Sequence, residues 1–337
     1  MGCRLGLVGA NTAVGELIVE YFQNKKMAID ELISLASDPY ETDAVFFNKS
    51  KVLPQDIDDA DFSKIDIVIF ADDESLVNKY AEKAQQENTF VIDSAVRIDT
   101  DQPPAKLIIP EVNADILKGL SSNTILRNPS PASIFLSLIL NPLLKKHEIT
   151  DINVCCHLPA VHSGKGGVEE LVSQTARLLN GMSVESTVFS QQLAFSLLPE
   201  SSAPDETGYT RDELSLLTQL REIFGDRDYS LNVTCVQVPV FYAQSQVITL
   251  TTTEPISVKS VTSLLSRSSG ITTVSNNKLG PTAVQNAAGK DNLFVGRIRQ
   301  LEGQGNHMTL WTVGESLRRG SAANSVQIAE ILIKSYL

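Results

Sequence analysis

The chain has 337 residues, of which 42% are hydrophobic and 20% are charged, a composition typical of a globular protein and not of a disordered segment. Its net charge of −12 disfavours nucleic acid as a partner, because a phosphate backbone would be repelled. The sequence shows neither a long apolar run nor a signal peptide, and four cysteines are too few for a disulfide framework, so we expect a cytoplasmic protein with no membrane partner.

The first part of the chain alternates short apolar runs with amphipathic segments. Strands are predicted over residues 5–10, 32–37, 65–70, 90–93, 107–110 and 124–126, and helices over 12–22 and 75–87. Strands that alternate with helices favour a doubly wound parallel sheet. We therefore predict an α/β, Rossmann-like domain here.

After Pro131 the pattern changes to longer β-rich runs between amphipathic helices. Helices are predicted over 134–144, 168–179, 212–224, 257–266 and 321–335, and strands over 150–157, 231–242, 246–252, 293–299 and 307–313. This order indicates an α+β domain with a mainly antiparallel sheet. The Ser-, Pro- and acid-rich segment 199–208 is expected to be a mobile loop.

Three glycines follow or interrupt the first predicted strand: Gly6, Gly9 and Gly15. A dinucleotide site needs glycines at this point, so that backbone amides and a helix N-terminus can approach a pyrophosphate. The pattern is only a partial fingerprint, and it suits a tight strand-to-helix turn equally well.

Several blocks, in order along the chain, resemble the aspartate-semialdehyde dehydrogenase family. They are Ile-Pro-Glu-Val-Asn at 109–113, Gly-Val-Glu-Glu-Leu at 167–171, Thr-Gly-Tyr-Thr-Arg-Asp-Glu at 207–213, Val-Gly-Arg-Ile-Arg at 295–299, Leu-Trp-Thr-Val-Gly at 310–314 and the segment 317–330. The resemblance implies a Rossmann-like, NAD(P)-binding-type domain from 1–127 and 316–337. It also implies a catalytic and dimerisation domain from 128–315, a homodimer, a role in amino-acid biosynthesis, and NADP and phosphate as co-substrates of the family reaction.

The family's catalytic positions hold different residues in this chain. The family's cysteine nucleophile starts a helix in an Asn-Pro-Asn-Cys segment, and Pro131 stands there. Proline has neither a nucleophile nor a backbone N–H for an oxyanion. The substrate-clamping arginine is replaced by Gln237 and the histidine base by Gln244, which cannot take up a proton near neutral pH.

Two further positions that handle the substrate are also changed. The glutamate that meets the substrate amine aligns with Gln219. The glutamine that orients the intermediate aligns, counted back without a gap from the Ser-Gly-Lys-Gly segment 163–166, with Ala160. No catalytic residue of the family is therefore predicted to be intact.

The cofactor positions are altered as well. Thr12 occupies the middle glycine of the family's loop, no arginine for a 2′-phosphate lies in 37–40, and Asp72, Asp73 and Glu74 form an acidic turn where the anionic cofactor would lie. Tight binding of NADP is not expected. Positions that match cofactor, phosphate or substrate contacts remain as relics: Gly9, Ala13, Val14, Asn324 and Gln327 for the cofactor, and Arg97 and Asn128 for phosphate or substrate.

Cys155, Cys156, His157 and His162 suggest a replacement nucleophile or a zinc site. Adjacent residues of a strand point to opposite faces, which disfavours a shared metal. Cysteines in a β-rich run are more often unreactive packing residues. We therefore expect no metal and no reactive thiol.

Three hypotheses for the function follow. The first is a catalytically inactive homologue that serves as a dimeric binding, assembly or regulatory protein, with an unknown protein partner possible. The second is an oxidoreductase that acts on an aldehyde or acyl phosphate with NAD(P), or an enzyme of altered chemistry in the same cleft. The third is a ligand-binding module that keeps a nucleotide-shaped cleft.

Overall fold

The computed structural model describes residues 2–71, 74–95, 105–120, 124–275, 279–303 and 305–337. The chain divides into two compact units: residues 1–130 together with 320–337, and residues 131–319. Among the described residues, no helix has the length and apolar character needed to span a bilayer.

The first unit is built on a parallel sheet of seven strands in the order β5-β2-β1-β6-β7-β9-β8. The strands are β1 (Cys3–Val8), β2 (Ile29–Ala36), β5 (Gln55–Asp56), β6 (Ile67–Phe70), β7 (Phe90–Asp93), β8 (Ala105–Leu107) and β9 (Ile125–Arg127), and β3 (Val45–Phe47) with β4 (Ser50–Val52) forms a separate hairpin. The helices are α1 (Ala13–Lys25), α2 (Glu74–Gln86), α3 (Pro110–Asn113) and α8 (Ala323–Tyr336). Buried aliphatic residues of α1, α8 and the sheet share one apolar core.

The second unit contains a mixed sheet of six strands in the order β11-β10-β12-β15-β14-β13, with three antiparallel and two parallel pairings. The strands are β10 (Ile149–Leu158), β11 (Ser230–Gln237), β12 (Ala243–Thr252), β13 (Ile271–Thr273), β14 (Leu293–Arg299) and β15 (His307–Glu315). The helices are α4 (Pro131–Leu144), α5 (Gly164–Leu179), α6 (Arg211–Phe224) and α7 (Val258–Leu265). The predicted fold class, a Rossmann-like parallel sheet and a second α+β sheet, is confirmed.

Several predicted elements have different bounds. The predicted strand 107–110 ends at Leu107 and gives way to α3, because Asn113 bonds from its side chain to the carbonyl of Leu107 and accepts the Ile109 amide. The predicted strand 231–242 ends at Gln237, since Pro239 has no N–H for a ladder. Helices α4 and α5 begin earlier than predicted, and α8 begins two residues later.

Gly15 is required by the close approach of α1 to the turn after β1. A Cβ at Gly15 would lie 2.0 Å from the carbonyl oxygen of Gly9, which itself has a positive φ of 78°. We expect Gly15→Ala to lower the free energy of unfolding by about 1–3 kcal/mol, because backbone must move to admit the methyl group. Urea unfolding measures the change.

The matched control is Gly166→Ala in α5, where the added Cβ would meet nothing nearer than the Val188 side chain at 3.5 Å. Alanine favours a helix over glycine, so this variant should change stability by no more than about 1 kcal/mol and in the stabilising direction. Equal losses in the two variants would show that the contact at Gly15 is not the cause.

Candidate functional site

Helix α4 begins at Pro131, the residue that the family resemblance predicts at the nucleophile position. Proline is well suited to the first helical position, because the N–H that it lacks would have no partner within the helix and its fixed φ is helical. Pro131 therefore stabilises the start of the helix and offers no reactive group. The four cysteines of the chain lie on β1, β10 and β11.

Two buried glutamines are the residues that the family resemblance predicts at the positions of the clamp and the base. Gln237 ends β11 and donates from Nε2 to the carbonyl of Pro159 at 2.8 Å. Gln244, on β12, is 1% exposed, and its Nε2 has no hydrogen-bond partner among the described residues. Amide side chains can donate and accept hydrogen bonds, but they carry no charge and do not take up a proton near neutral pH.

Gln219 and Ala160, the residues predicted at the two remaining substrate positions, make hydrogen bonds to other groups of the second unit. Gln219 lies on α6 and donates from Nε2 to the hydroxyl of Ser215, one turn earlier, at 3.0 Å. Ala160 is fully buried, and its amide donates to the carbonyl of Val240 at 2.7 Å. Neither residue presents a charge to the site.

A row of neutral polar groups lies on the sheet beneath the start of α4. Gln246 donates from Nε2 to the carbonyl of Ala132 at 2.9 Å. The side-chain oxygens of Gln237 and Gln246 and the Nε2 of Gln244 are buried without a partner among the described residues. A buried polar atom without a partner costs about 1–3 kcal/mol. These amide groups carry no charge and do not perform acid–base chemistry.

One ionisable pair in this unit was not anticipated. His162 Nε2 lies 2.8 Å from Asp212 Oδ1, which joins the turn before α5 to the start of α6. Burial lowers the pKa of His162, but the hydrogen bond and charge of Asp212 more than offset burial, so the pKa is raised. The pair is 50 residues apart in sequence, and no local pattern indicated it.

The cysteines and histidines considered for a metal or thiol site lie on or near β10. No group of His, Cys, Asp and Glu within the described residues is arranged to hold a metal ion. Cys156 and Cys235 are buried, and burial raises the pKa of Cys155 above its ordinary value. Its thiolate is thus disfavoured, which makes it a poor nucleophile at neutral pH.

In the first unit the turn after β1 leads into α1, and Thr12 lies where the resemblance predicts a glycine of the family's nucleotide loop. Thr12 caps α1: its hydroxyl lies 2.8 Å from the carbonyl of Gly9 and 2.9 Å from that of Ala71, and accepts the Gly15 amide at 3.0 Å. The first amides of α1, those of Ala13 and Val14, have no carbonyl partner within the helix. Two helix-start amides thus stay available to an anion, while the third is capped.

Three other residues predicted for cofactor, phosphate or substrate make hydrogen bonds within this unit. Asn128 donates to the carbonyl of Ser321 at 3.0 Å, and Asn324 donates to Asn128 and, at 2.8 Å, to the carbonyl of Ile108. Gln327 donates to Glu111 at 2.9 Å. Arg97 and two acids of the acidic turn, Asp72 and Asp73, lie outside the described residues.

Comparisons with known proteins cover the whole chain. The profile of the semialdehyde dehydrogenase NAD binding domain matches residues 4–120, and that of the semialdehyde dehydrogenase dimerisation domain matches residues 140–319. "Aspartate-semialdehyde dehydrogenase 2" of Vibrio cholerae is 35% identical over 335 residues, covering 99% of this chain and 98% of the relative.

Two further likenesses bear on the site. The "USG-1 protein homolog" of Pseudomonas aeruginosa is 32% identical over 334 residues, covering 99% of this chain and 98% of the relative. The crystal structure of Vibrio cholerae aspartate semialdehyde dehydrogenase II complexed with ASA superposes with a TM-score of 0.94 at 34% identity, covering 100% of both chains.

Proposed function

The chain belongs to the aspartate-semialdehyde dehydrogenase family, and from this premise we propose that it is a member that has lost the dehydrogenase reaction and acts as a dimeric binding, assembly or regulatory protein. The observation that carries the proposal is the start of α4, where Pro131 supplies no nucleophile. The direct test is phosphate-dependent formation of NADPH from aspartate semialdehyde, which we expect to be absent.

The other replaced positions support the same proposal. Acyl transfer needs a base near the nucleophile and a charged clamp on the substrate carboxylate, and Gln244 and Gln237 provide neither. The amide side chains at these positions can donate and accept hydrogen bonds but carry no charge. Binding without turnover is therefore the activity that we infer for this unit.

An enzyme of altered chemistry would need a different base. His162 is the imidazole nearest in sequence to Ala160, but its Nε2 lies 2.8 Å from Asp212 Oδ1, and the hydrogen bond and charge of that carboxylate raise the pKa of His162. This nitrogen is therefore not available to take a proton from a substrate. This pair therefore gives the second hypothesis little support.

The proposed homodimer rests on the matched dimerisation domain and on apolar surface of the second unit. Val172, Phe195 and Leu197 are 51%, 68% and 52% exposed, and Val247 and Trp311 are half-buried on the sheet. Exposed apolar side chains are often covered in an assembly, and symmetric pairing is the commonest arrangement. We propose that a second copy of the chain supplies this cover.

We expect a dimer in sedimentation velocity at micromolar concentration, and we expect Val247→Arg to shift the population toward monomer by placing a charge in the proposed interface. Lys51→Glu, on the exposed hairpin strand β4, is the control and should remain dimeric. A wild-type protein that sediments only as a monomer would refute the proposed assembly.

NADP binding is expected to be weak. The turn after β1 fits a pyrophosphate, but the 2′-phosphate would meet Asp38 and no arginine in 37–40, and the sequence adds the acidic turn at 72–74. Calorimetric titration should show no saturation below about 1 mM NADP at low salt, and added salt should relieve the repulsion. A dissociation constant in the low micromolar range would contradict this expectation.

A further inference from the structure

The carboxyl end of β2 lies beside the glycine turn of the first unit. The Gly9 amide donates to the carbonyl of Leu35 at 3.2 Å, which brings the segment after β2 next to the turn after β1. Asp38 lies in that segment, two residues beyond the end of β2, and it is exposed. Its position places a carboxylate at the edge where a bound dinucleotide would present its adenosine ribose.

The turn itself is shaped for a dinucleotide. Gly9 has a positive φ of 78°, and the Cβ that Gly15 lacks would lie 2.0 Å from the Gly9 carbonyl oxygen. The turn also leads into a helix of 13 residues, whose amides at Ala13 and Val14 lack partners within the helix. Such a helix start attracts a pyrophosphate.

The side chain of Asp38 is held by its own loop. Its Oδ1 accepts the amides of Tyr40 and Glu41 at 3.0 and 3.1 Å, and its backbone carbonyl accepts the Thr42 hydroxyl at 2.6 Å. Both side-chain bonds within the described residues end on Oδ1, so Oδ2 can accept a hydrogen bond from a ligand. The loop therefore fixes a carboxylate with one oxygen available.

In Rossmann-type sites, an acid after the second strand accepts the 2′-hydroxyl of NAD, whereas an arginine there holds the 2′-phosphate of NADP. We propose that this unit binds NAD in preference to NADP, and that Asp38 is the residue that determines this preference. This preference deepens the proposed function, and it rests on that function in one respect: the turn after β1 must still bind a nucleotide. It concerns ribose recognition and requires no turnover.

Charge supports the same preference. The 2′-phosphate adds negative charge to the ligand, and the carboxylate of Asp38 is exposed on this loop. Like charges at such range are unfavourable even after screening. A ligand with a free ribose diol avoids the repulsion and gains the hydrogen bond to Asp38.

The test is calorimetric titration of the full chain with NAD and with NADP, and with AMP and 2′,5′-ADP as fragments. We expect NAD to bind at least about tenfold more tightly than NADP, and AMP more tightly than 2′,5′-ADP, the difference expected for one charge-assisted hydrogen bond and one repulsion. Asp38→Asn should weaken NAD binding and narrow the ratio of the NADP and NAD dissociation constants. Asp43 is a neighbouring exposed carboxylate, and Asp43→Asn should leave that ratio unchanged.

A second variant tests the preference in the opposite direction. Asp38→Ser combined with Pro39→Arg supplies the Ser-x-Arg pattern's cation and removes the acid, and it should reverse the order of the two dinucleotides. The proposal is overturned if NADP binds as tightly as NAD or if neither dinucleotide binds at about 10 mM. It is also overturned if Asp43→Asn narrows the ratio of the NADP and NAD dissociation constants as much as Asp38→Asn does. Turnover by the wild-type protein would refute the loss of catalysis and leave this ratio to be decided separately.

Discussion

Pro131→Cys is expected to leave the protein without detectable phosphate-dependent formation of NADPH from aspartate semialdehyde. The introduced thiol would sit at the start of α4, where the helix N-terminus favours its thiolate. It would still lack a base at Gln244, and general base catalysis is commonly worth on the order of 10² to 10⁴ in rate. Without a charged clamp at Gln237 the substrate would not be held in attack geometry.

The fairer test of the scaffold adds Gln244→His, Gln237→Arg and Gln219→Glu to the same variant. Residues that act as a unit are non-additive, so one restored member gains almost nothing and a complete set could gain much. We nevertheless expect the fourfold variant to fail unless the acidic turn at 72–74 is also replaced, because the cofactor would still be repelled.

Labelling of the introduced thiol by iodoacetamide, together with the melting temperature, shows that each variant is folded and that the thiol is reachable. The Vibrio cholerae relative assayed in parallel sets the scale of an active enzyme. Turnover by Pro131→Cys alone would show that another group of this chain already serves as the base. That result would refute the proposal that the chain lost its catalytic base when glutamine took position 244.

Glu170→Ala is expected to lower the free energy of unfolding by about 3–4 kcal/mol, because the buried carboxylate accepts several hydrogen bonds that hold the loop at 187–188. Glu170 Oε2 accepts the amides of Thr187 and Val188 at 2.9 and 2.6 Å and the Thr187 hydroxyl at 2.7 Å. Its Oε1 accepts the side chain of Gln174 at 3.0 Å. Removing the carboxylate leaves these donors without an acceptor.

The control is Glu169→Ala, the neighbouring exposed glutamate, whose partner Lys165 is 3.7 Å away on the surface. Exposed pairs of this kind contribute about 0–1 kcal/mol, so the control should change little. Urea unfolding of both variants measures the difference. If the two variants lose stability equally, the bonds to the 187–188 segment do not stabilise the fold.

The Glu170 contribution should also depend on pH in a defined direction. Burial raises the pKa of this carboxyl, but the hydrogen bonds from Val188 and Thr187 more than offset burial, so the pKa in the folded protein is lowered. A lowered pKa means stability that is fully present above the unfolded value of about 4.3 and is lost as the pH falls through the folded value. The stability difference between wild type and Glu170→Gln should therefore shrink below about pH 4.3.

Much of the fold could be predicted because apolar periodicity sets the elements. The strand at Phe90–Asp93 and that at Leu293–Arg299 have the predicted bounds, since each is a short apolar run between polar turns. The short strands β3, β4 and β5 were missed because they have two or three residues each, too few for a period to show. Asn113 ended a predicted strand through side-chain bonds that periodicity does not encode.

The residue types of the candidate site could be predicted, but their surroundings could not. The motif resemblance predicts that Pro131, Gln237 and Gln244 differ from the family, and it says nothing of which amide atoms lack partners. The bond of the Thr12 hydroxyl to Gly9 is local, but its bond to Ala71 depends on a tertiary contact 59 residues away. The His162–Asp212 pair likewise forms only when two distant segments meet.

The central claim is that the chain keeps the family's fold and has lost the family's reaction. Its most direct test is the initial rate of phosphate-dependent NADPH formation from aspartate semialdehyde by the purified wild-type protein, with NAD supplied in a parallel reaction and the Vibrio cholerae relative as the positive control. We predict a rate equal to that without protein for both cofactors. Sustained turnover that co-purifies with the dimer and is lost on denaturation would contradict the account.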